Sequence, residues 1–198
     1  MRRASLLLLA AVAALPGCGG PLLFAELQVP ELRVTLPEQA FPASDTTNPA
    51  DWCALVQDPS TPCVQRTLDY DLGGPVPILN ERGVTYDLRL EDVAIILSAS
   101  QAGTDLTGVK YASLLVLADP TDPSSGTVIA SYVRPPNAAP SRSIGVTGNS
   151  NLDLGPYLRT GILPVRVEVT FDAPTPAFLA DVAAGFSLEV KLDWGSLL

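Results

Sequence analysis

The 198-residue chain contains no histidine. That absence removes Ser-His-Asp and Cys-His catalytic machinery and every metal site built on imidazole. Its two lysines, Lys110 and Lys191, each fall inside an alternating apolar pattern with no nucleophile signature beside them, so a Ser-Lys pair has no footing. There is no Gly-x-Ser-x-Gly elbow, phosphate-cradling glycine loop or dinucleotide fingerprint. Basic residues are scarce, 12 against 21 acidic ones, and such a surface repels nucleic acid and anionic headgroups. The 21 carboxylates hold the raw material of a glycosidase pair, but no pattern selects two of them. A carboxylate-dependent hydrolase is therefore the remaining enzymatic alternative, and the chain is read as non-enzymatic.

The first residues carry the clearest signal. Arg2-Arg3 precede an apolar run from Ala4 to Leu15, interrupted only by Ser5, and Leu15-Pro16-Gly17-Cys18 closes it. The run is too short to span a bilayer, which takes roughly 20 apolar residues, and it has the anatomy of an export signal. Leu15, Gly17 and Cys18 resemble the lipobox of bacterial lipoprotein precursors, with Pro16 where Ala, Ser or Thr is usual. The resemblance implies cleavage after Gly17, diacylation of the Cys18 thiol and acylation of the new amino group, palmitate being the expected kind of chain. Two or three acyl chains hold a protein on a membrane where one binds only marginally. By analogy with the sorting of the lipoproteins it resembles, Gly19 rather than Asp after the cysteine implies the outer membrane of the cell envelope. An ordinary secretory signal with Cys18 incidental is the competing reading.

Removing residues 1–17 takes Arg2 and Arg3 away, leaving 10 basic and 21 acidic residues and a formal charge of 10 − 21 = −11. Residues 18–25 read as a lipidated tether and 26–198 as one domain, large enough and, at 47% hydrophobic overall, apolar enough to bury a core. Cys53 and Cys63 remain as an even pair whose spacing suits neither a redox dithiol nor a zinc knuckle. In an oxidising compartment they read as a structural disulfide, against the alternative of two free buried thiols. The bridge would pin a proline-rich loop over 37–65, in which Asn48-Pro49-Ala50-Asp51 resembles a helix start.

From Arg66 onward the period is two. Leu68, Tyr70 and Leu72 alternate with polar residues, as do Val84, Tyr86, Leu88 and Leu90. Val93, Ile95 and Leu97 then continue in the opposite phase, which predicts a bulge at Glu91-Asp92; Pro30 marks a similar slip between Val29 and Leu32. Leu114 to Leu117 are consecutive apolar residues, predicting a strand covered on both faces. Further strands are expected over Thr127–Arg134, Ile144–Thr147, Leu163–Phe171 and Phe186–Trp194, with one helical turn within Leu152–Arg159 and a short helix from Thr175-Pro176 to Ala184. The expected fold is all-β, an antiparallel sandwich of Ig-like or jelly-roll connectivity with one or two short helices in its loops. The segment order from Tyr86 to Trp194, including Asp153-Leu154-Gly155-Pro156-Tyr157-Leu158, is similar to sandwich domains of other bacterial surface lipoproteins and implies no activity.

Binding candidates are few. Asp119 and Asp122 share a loop with oxygen ligands suited to calcium, but Asp-Pro-Thr-Asp-Pro is also ordinary turn chemistry. Tyr70, Tyr86, Phe171, Phe186 and Trp194 lie on the inward phase of strands; Trp52, beside Cys53, is either an exposed contact for sugar or protein or a plug over one end of the sandwich. No cofactor is implied. The expected partners are a lipid bilayer, through Cys18, and an envelope protein or glycan. The readings in play are a lipid-anchored binding, adhesion or envelope-structural module, and a carbohydrate- or calcium-binding module.

Overall fold

The computed structural model describes residues 24–44, 53, 61–72, 84–98, 105–119, 122, 125–158 and 161–193. Its strands are β1 (Phe24–Phe41), β2 (Cys63–Asp71), β3 (Val84–Leu97), β4 (Val109–Leu117), β5 (Gly126–Val133), β6 (Ser143–Gly148), β7 (Ile162–Phe171) and β8 (Phe178–Asp193). Every pairing is antiparallel, in the order β1-β8-β3-β6-β5-β4-β7-β2. Only Ala130↔Gly148 and Ser131↔Thr147 join β5 to β6. The strands therefore form two four-stranded halves, β1-β8-β3-β6 and β2-β7-β4-β5, folded face to face. Except for the β4–β5 hairpin, each consecutive pair of strands lies in opposite halves. That interleaving is the jelly-roll connectivity and separates it from the Ig-like alternative.

The phase changes in the sequence become register shifts. β3 slips between Leu90 and Asp92 against β8, so Leu88 and Leu90 before the slip and Val93, Ile95 and Leu97 after it all face the core. β1 slips likewise between Val29 and Leu32. Without these extra residues half of each strand's apolar set would turn to solvent. At the first slip, Arg33 on β1 reaches Asp92 on β3 at 3.1 Å across the intervening strand. Gly185 of β8 pairs with both and makes room, because a Cβ there would lie 2.3 Å from the Asp92 carboxylate.

Several expectations are corrected. Thr175 to Ala184 is not a helix: β8 begins at Phe178 and pairs with β1 on one side and β3 on the other. Phe178, Ala180, Val182 and Ala184 are buried at period two, and two flanking ladders outweigh the helix propensity of the alanines. The Thr175 hydroxyl bonds back to Ala173 O, while Thr175 N–H donates to Ser44 Oγ at 2.7 Å. β1 starts inside the expected tether and runs to Phe41, past the expected start of the loop. Within Leu152–Arg159 the helical turn shrinks to a 3-10 turn at Gly155–Tyr157. The helix start at Asn48-Pro49 lies outside the described residues.

Inside, Phe41 stacks on Phe178 at 4.9 Å, Phe171 meets Phe178 edge-on at 6.1 Å, and Tyr70 meets Phe186 edge-on at 5.8 Å. The last two contacts cross between the halves. Such ring pairs add about 0.5–1.5 kcal/mol each beyond their buried area. The Tyr70 hydroxyl, wholly enclosed, points at Val182 O at 3.5 Å, and burial pushes its pKa far above the ordinary tyrosine value. A group whose native pKa is raised contributes stability that is complete below its unfolded pKa and lost above it. Stability should therefore fall as pH rises beyond about 10. Tyr70→Phe should flatten that alkaline slope in denaturant melts at pH 8 to 11 while costing about 0.5–1.5 kcal/mol at neutral pH.

Candidate functional site

Three places concentrate polar chemistry. The first is the outer face of β2-β7-β4-β5. In β7 Arg166, Glu168 and Thr170 alternate with Val165, Val167, Val169 and Phe171, a pattern that on its own would leave the polar set in solvent. Both faces are buried instead: Arg166 and Glu168, neighbours on the same side of the strand, keep 4% and 2% of their side chains exposed and form an ion pair at 2.9 Å. Across the ladder lie Leu115 opposite Arg166 and Ser113 opposite Glu168, also buried. This face accounts for the Leu114–Leu117 run: Leu114 and Val116 enter the core between the halves, and Leu115 and Leu117 fill the other side.

The Cys53–Cys63 disulfide belongs to the same face. Cys63 opens β2 opposite Thr170, and its partner lies 6.1 Å away by Cα with both sulfurs buried. The pair expected from spacing is thus a bridge. In the loop-closure picture a link of this span contributes about 2–3 kcal/mol. Its neighbour Trp52, like the lipid-site candidate Cys18, lies outside the described residues.

Second is the stretch at Asp153-Leu154-Gly155. Asp153 Oδ1 accepts N–H bonds from Leu88 at 3.0 Å and Gly155 at 2.9 Å, Leu154 N–H donates to Leu88 O at 2.6 Å, and Tyr86 Oη reaches Gly155 O at 3.3 Å. A carboxylate and one amide thus continue the β3 ladder past the end of β6. This role is structural. The Asp119-to-Ser125 turn is similar in kind: Ser125 Oγ bonds Asp119 O at 2.8 Å and Asp122 O at 2.7 Å, and Asp122 N–H donates to Asp119 O. Among the described residues no group of three or more His, Cys, Asp or Glu side chains could hold a metal ion, and Asp119 and Asp122 gain no third carboxylate.

The third place is a cavity of about 190 Å³ between β5 and β6, lined by Leu106, Tyr132, Arg134, Ala138, Ser143 and Gly145 among others. Arg134 Nη1 donates to Thr107 O at 2.7 Å and pairs with Asp172, and this bond holds the Asp172 carboxyl below its usual pKa. The stretch from Pro135 to Asn151 is polar and carries no motif that marks the site. Its signal was faint: an aromatic, an arginine and two prolines, Tyr132 to Pro136, where a strand gives way to a long loop.

No protein-family model matches the sequence, and no curated protein matches it. Among solved structures the chain is similar to a decameric BFDV capsid protein, with a TM-score of 0.31, 12% identity, and coverage of 85% of this chain and 98% of that one. It is also similar to VP1 of Trichodysplasia spinulosa-associated polyomavirus, solved with sialylated precision glycooligomers (TM-score 0.30, 11% identity, 92% and 100% coverage). A third is a structure of infectious bursal disease virus, Gx strain (TM-score 0.28, 9% identity, 93% and 39% coverage). Likeness of this degree concerns the fold alone, and the jelly-roll assignment rests on the strand order.

Removing one partner of a buried ion pair strands the other charge. Glu168→Ala should lower stability by about 3–5 kcal/mol, whereas Arg166→Met combined with Glu168→Leu should restore most of it. Urea melts of the three proteins would read the difference.

Proposed function

We propose that the protein is a membrane-anchored extracytoplasmic lipoprotein whose jelly-roll domain is a non-enzymatic binding, adhesion or envelope-structural module. Cys18, thioether-linked to a diacylglycerol and acylated on its amino group, ties the domain to the bilayer, on the outer-membrane side of the envelope by the Gly19 rule. The observation that carries this reading is the Leu15-to-Cys18 motif at the end of a basic-then-apolar leader. The Cys53–Cys63 bridge is in keeping with it, since such bridges persist where thiols are not kept reduced. No described helix is long and apolar enough to cross a membrane, so the acyl chains are the attachment proposed. The formal charge of −11 after cleavage keeps the domain away from nucleic acid and anionic headgroups.

Expressed from its full gene in a bacterium, the wild-type chain should partition into detergent on phase separation and carry the mass of a lipidated N-terminal cysteine. Cys18→Ser should move to the aqueous phase. A wild-type product recovered in water with a free thiol at position 18 would overturn the anchor.

A further inference from the structure

We propose that the cavity between β5 and β6 binds a neutral, hydroxyl-rich ring, the terminal sugar unit of a glycan. This takes up the glycan-binding alternative and stands whether or not Cys18 carries lipid. The cavity exists because the two halves part company there. β5 and β6 pair only at Ala130↔Gly148 and Ser131↔Thr147 and then splay.

The ladder phase shows what the splaying leaves open. Leu97 N–H bonds Arg142 O, so in the β3–β6 register Arg142, Ile144 and Val146 direct their backbone groups at β3, while Ser143 and Gly145 direct theirs toward β5. On the other side Arg134 N–H bonds Lys110 O, so Tyr132 and Arg134 face β4 and Val133 faces β6. Ser141 Oγ takes up the Ser143 N–H at 3.1 Å and donates to its carbonyl at 2.7 Å. Gly145, in the cavity lining, is left presenting an N–H and a C=O toward β5 with no ladder partner among the described residues, and Val133, outside the lining, faces it across the gap.

Arg134 adds fixed donors. Both of its bonds use Nη1, which leaves the Nε and Nη2 hydrogens unspent on a guanidinium already pinned by Asp172 and Thr107. Leu106, Ile144, Ala138 and the Tyr132 ring supply apolar wall.

The ligand class follows from this mixture. Backbone amides, carbonyls and a guanidinium together offer both donors and acceptors, which suits hydroxyls; an anion would ask for donors only and a cation for acceptors only. Asp172 cancels the Arg134 charge locally, so nothing selects an acid. Size and closure favour a compact ring over a strand-like peptide. About 190 Å³ takes one ring and its substituents, and the gap is shut at one end by Ser131↔Thr147 and at the other by the Pro135–Ser141 loop, where Ala138 N–H bonds Pro135 O and Leu106 N–H bonds Ser141 O.

The test is full-length protein in detergent, titrated with a panel of neutral methyl glycosides, an acidic methyl glycoside and an extended peptide, and followed by saturation-transfer NMR and calorimetry. Gly145→Phe narrows the mouth at a position where an added Cβ meets no atom within 4 Å. Ala139→Trp, at another exposed lining position, serves if that variant does not fold. The proposal expects at least one glycoside to bind at millimolar concentration, and binding to weaken tenfold or more in the plugged variant with its melting temperature unchanged. No binding across the panel, equal binding by the plugged protein, or preference for an acidic sugar or an extended peptide would each overturn it.

Discussion

Everything in the domain hangs on two strands that are neighbours in sequence and lie at the inside of opposite halves. β7 is straddled by β2 and β4, and β8 by β1 and β3. Each therefore spends its backbone groups on two ladders and has no edge to expose. Their inner residues, Val165, Val167, Val169 and Phe171 from one and Phe178, Ala180, Val182, Ala184 and Phe186 from the other, supply much of the shared core. The small residues of β8 let the halves approach, and Phe186 and Phe178 at either end fill the space beside Tyr70 and Phe171. The outer side of β7, holding Arg166 and Glu168, is the same constraint seen from behind: a strand enclosed on every side must satisfy its charges internally.

The proposed binding site sits where that frame relaxes. Among the described residues the halves share a hydrogen-bonded ladder only at two residue pairs of β5 and β6, and the cavity opens beside this short seam. Beyond the end of β6, the Asp153 carboxylate and the Leu154 amide stand in for missing ladder partners. The lipid anchor is proposed at Cys18 and the ligand site at the β5–β6 seam, so the two proposals call on different residues.

Much of the fold was legible because burial imposes a period. The slips at Glu91-Asp92 and at Pro30, the doubly covered Leu114–Leu117 run and the short β6 strand all read directly as side-chain phase. The start of β8 did not, since Thr175-Pro176 followed by alanines imitates a capped helix and only the ladders on either side decide otherwise. Arg166 and Glu168 misled for a related reason: alternation reports polarity, and a polar residue can be enclosed if it is paired. Jelly-roll against Ig-like order depends on which distant strands pair, information that no local window holds. The cysteine pair was readable from its parity and spacing, while the seam cavity was hidden because it arises from a pairing that stops early.

Native-state hydrogen exchange tests the central role of β7 and β8 most directly. If the two strands form one inseparable core, their ladder amides should be the slowest in the protein and should exchange with a common free energy equal to that of global unfolding. β5 and β6 near their seam should open earlier. Exchange in β1-β8-β3-β6 that runs to completion while β2-β7-β4-β5 stays protected, or the reverse, would mean two independent sheets and contradict the account.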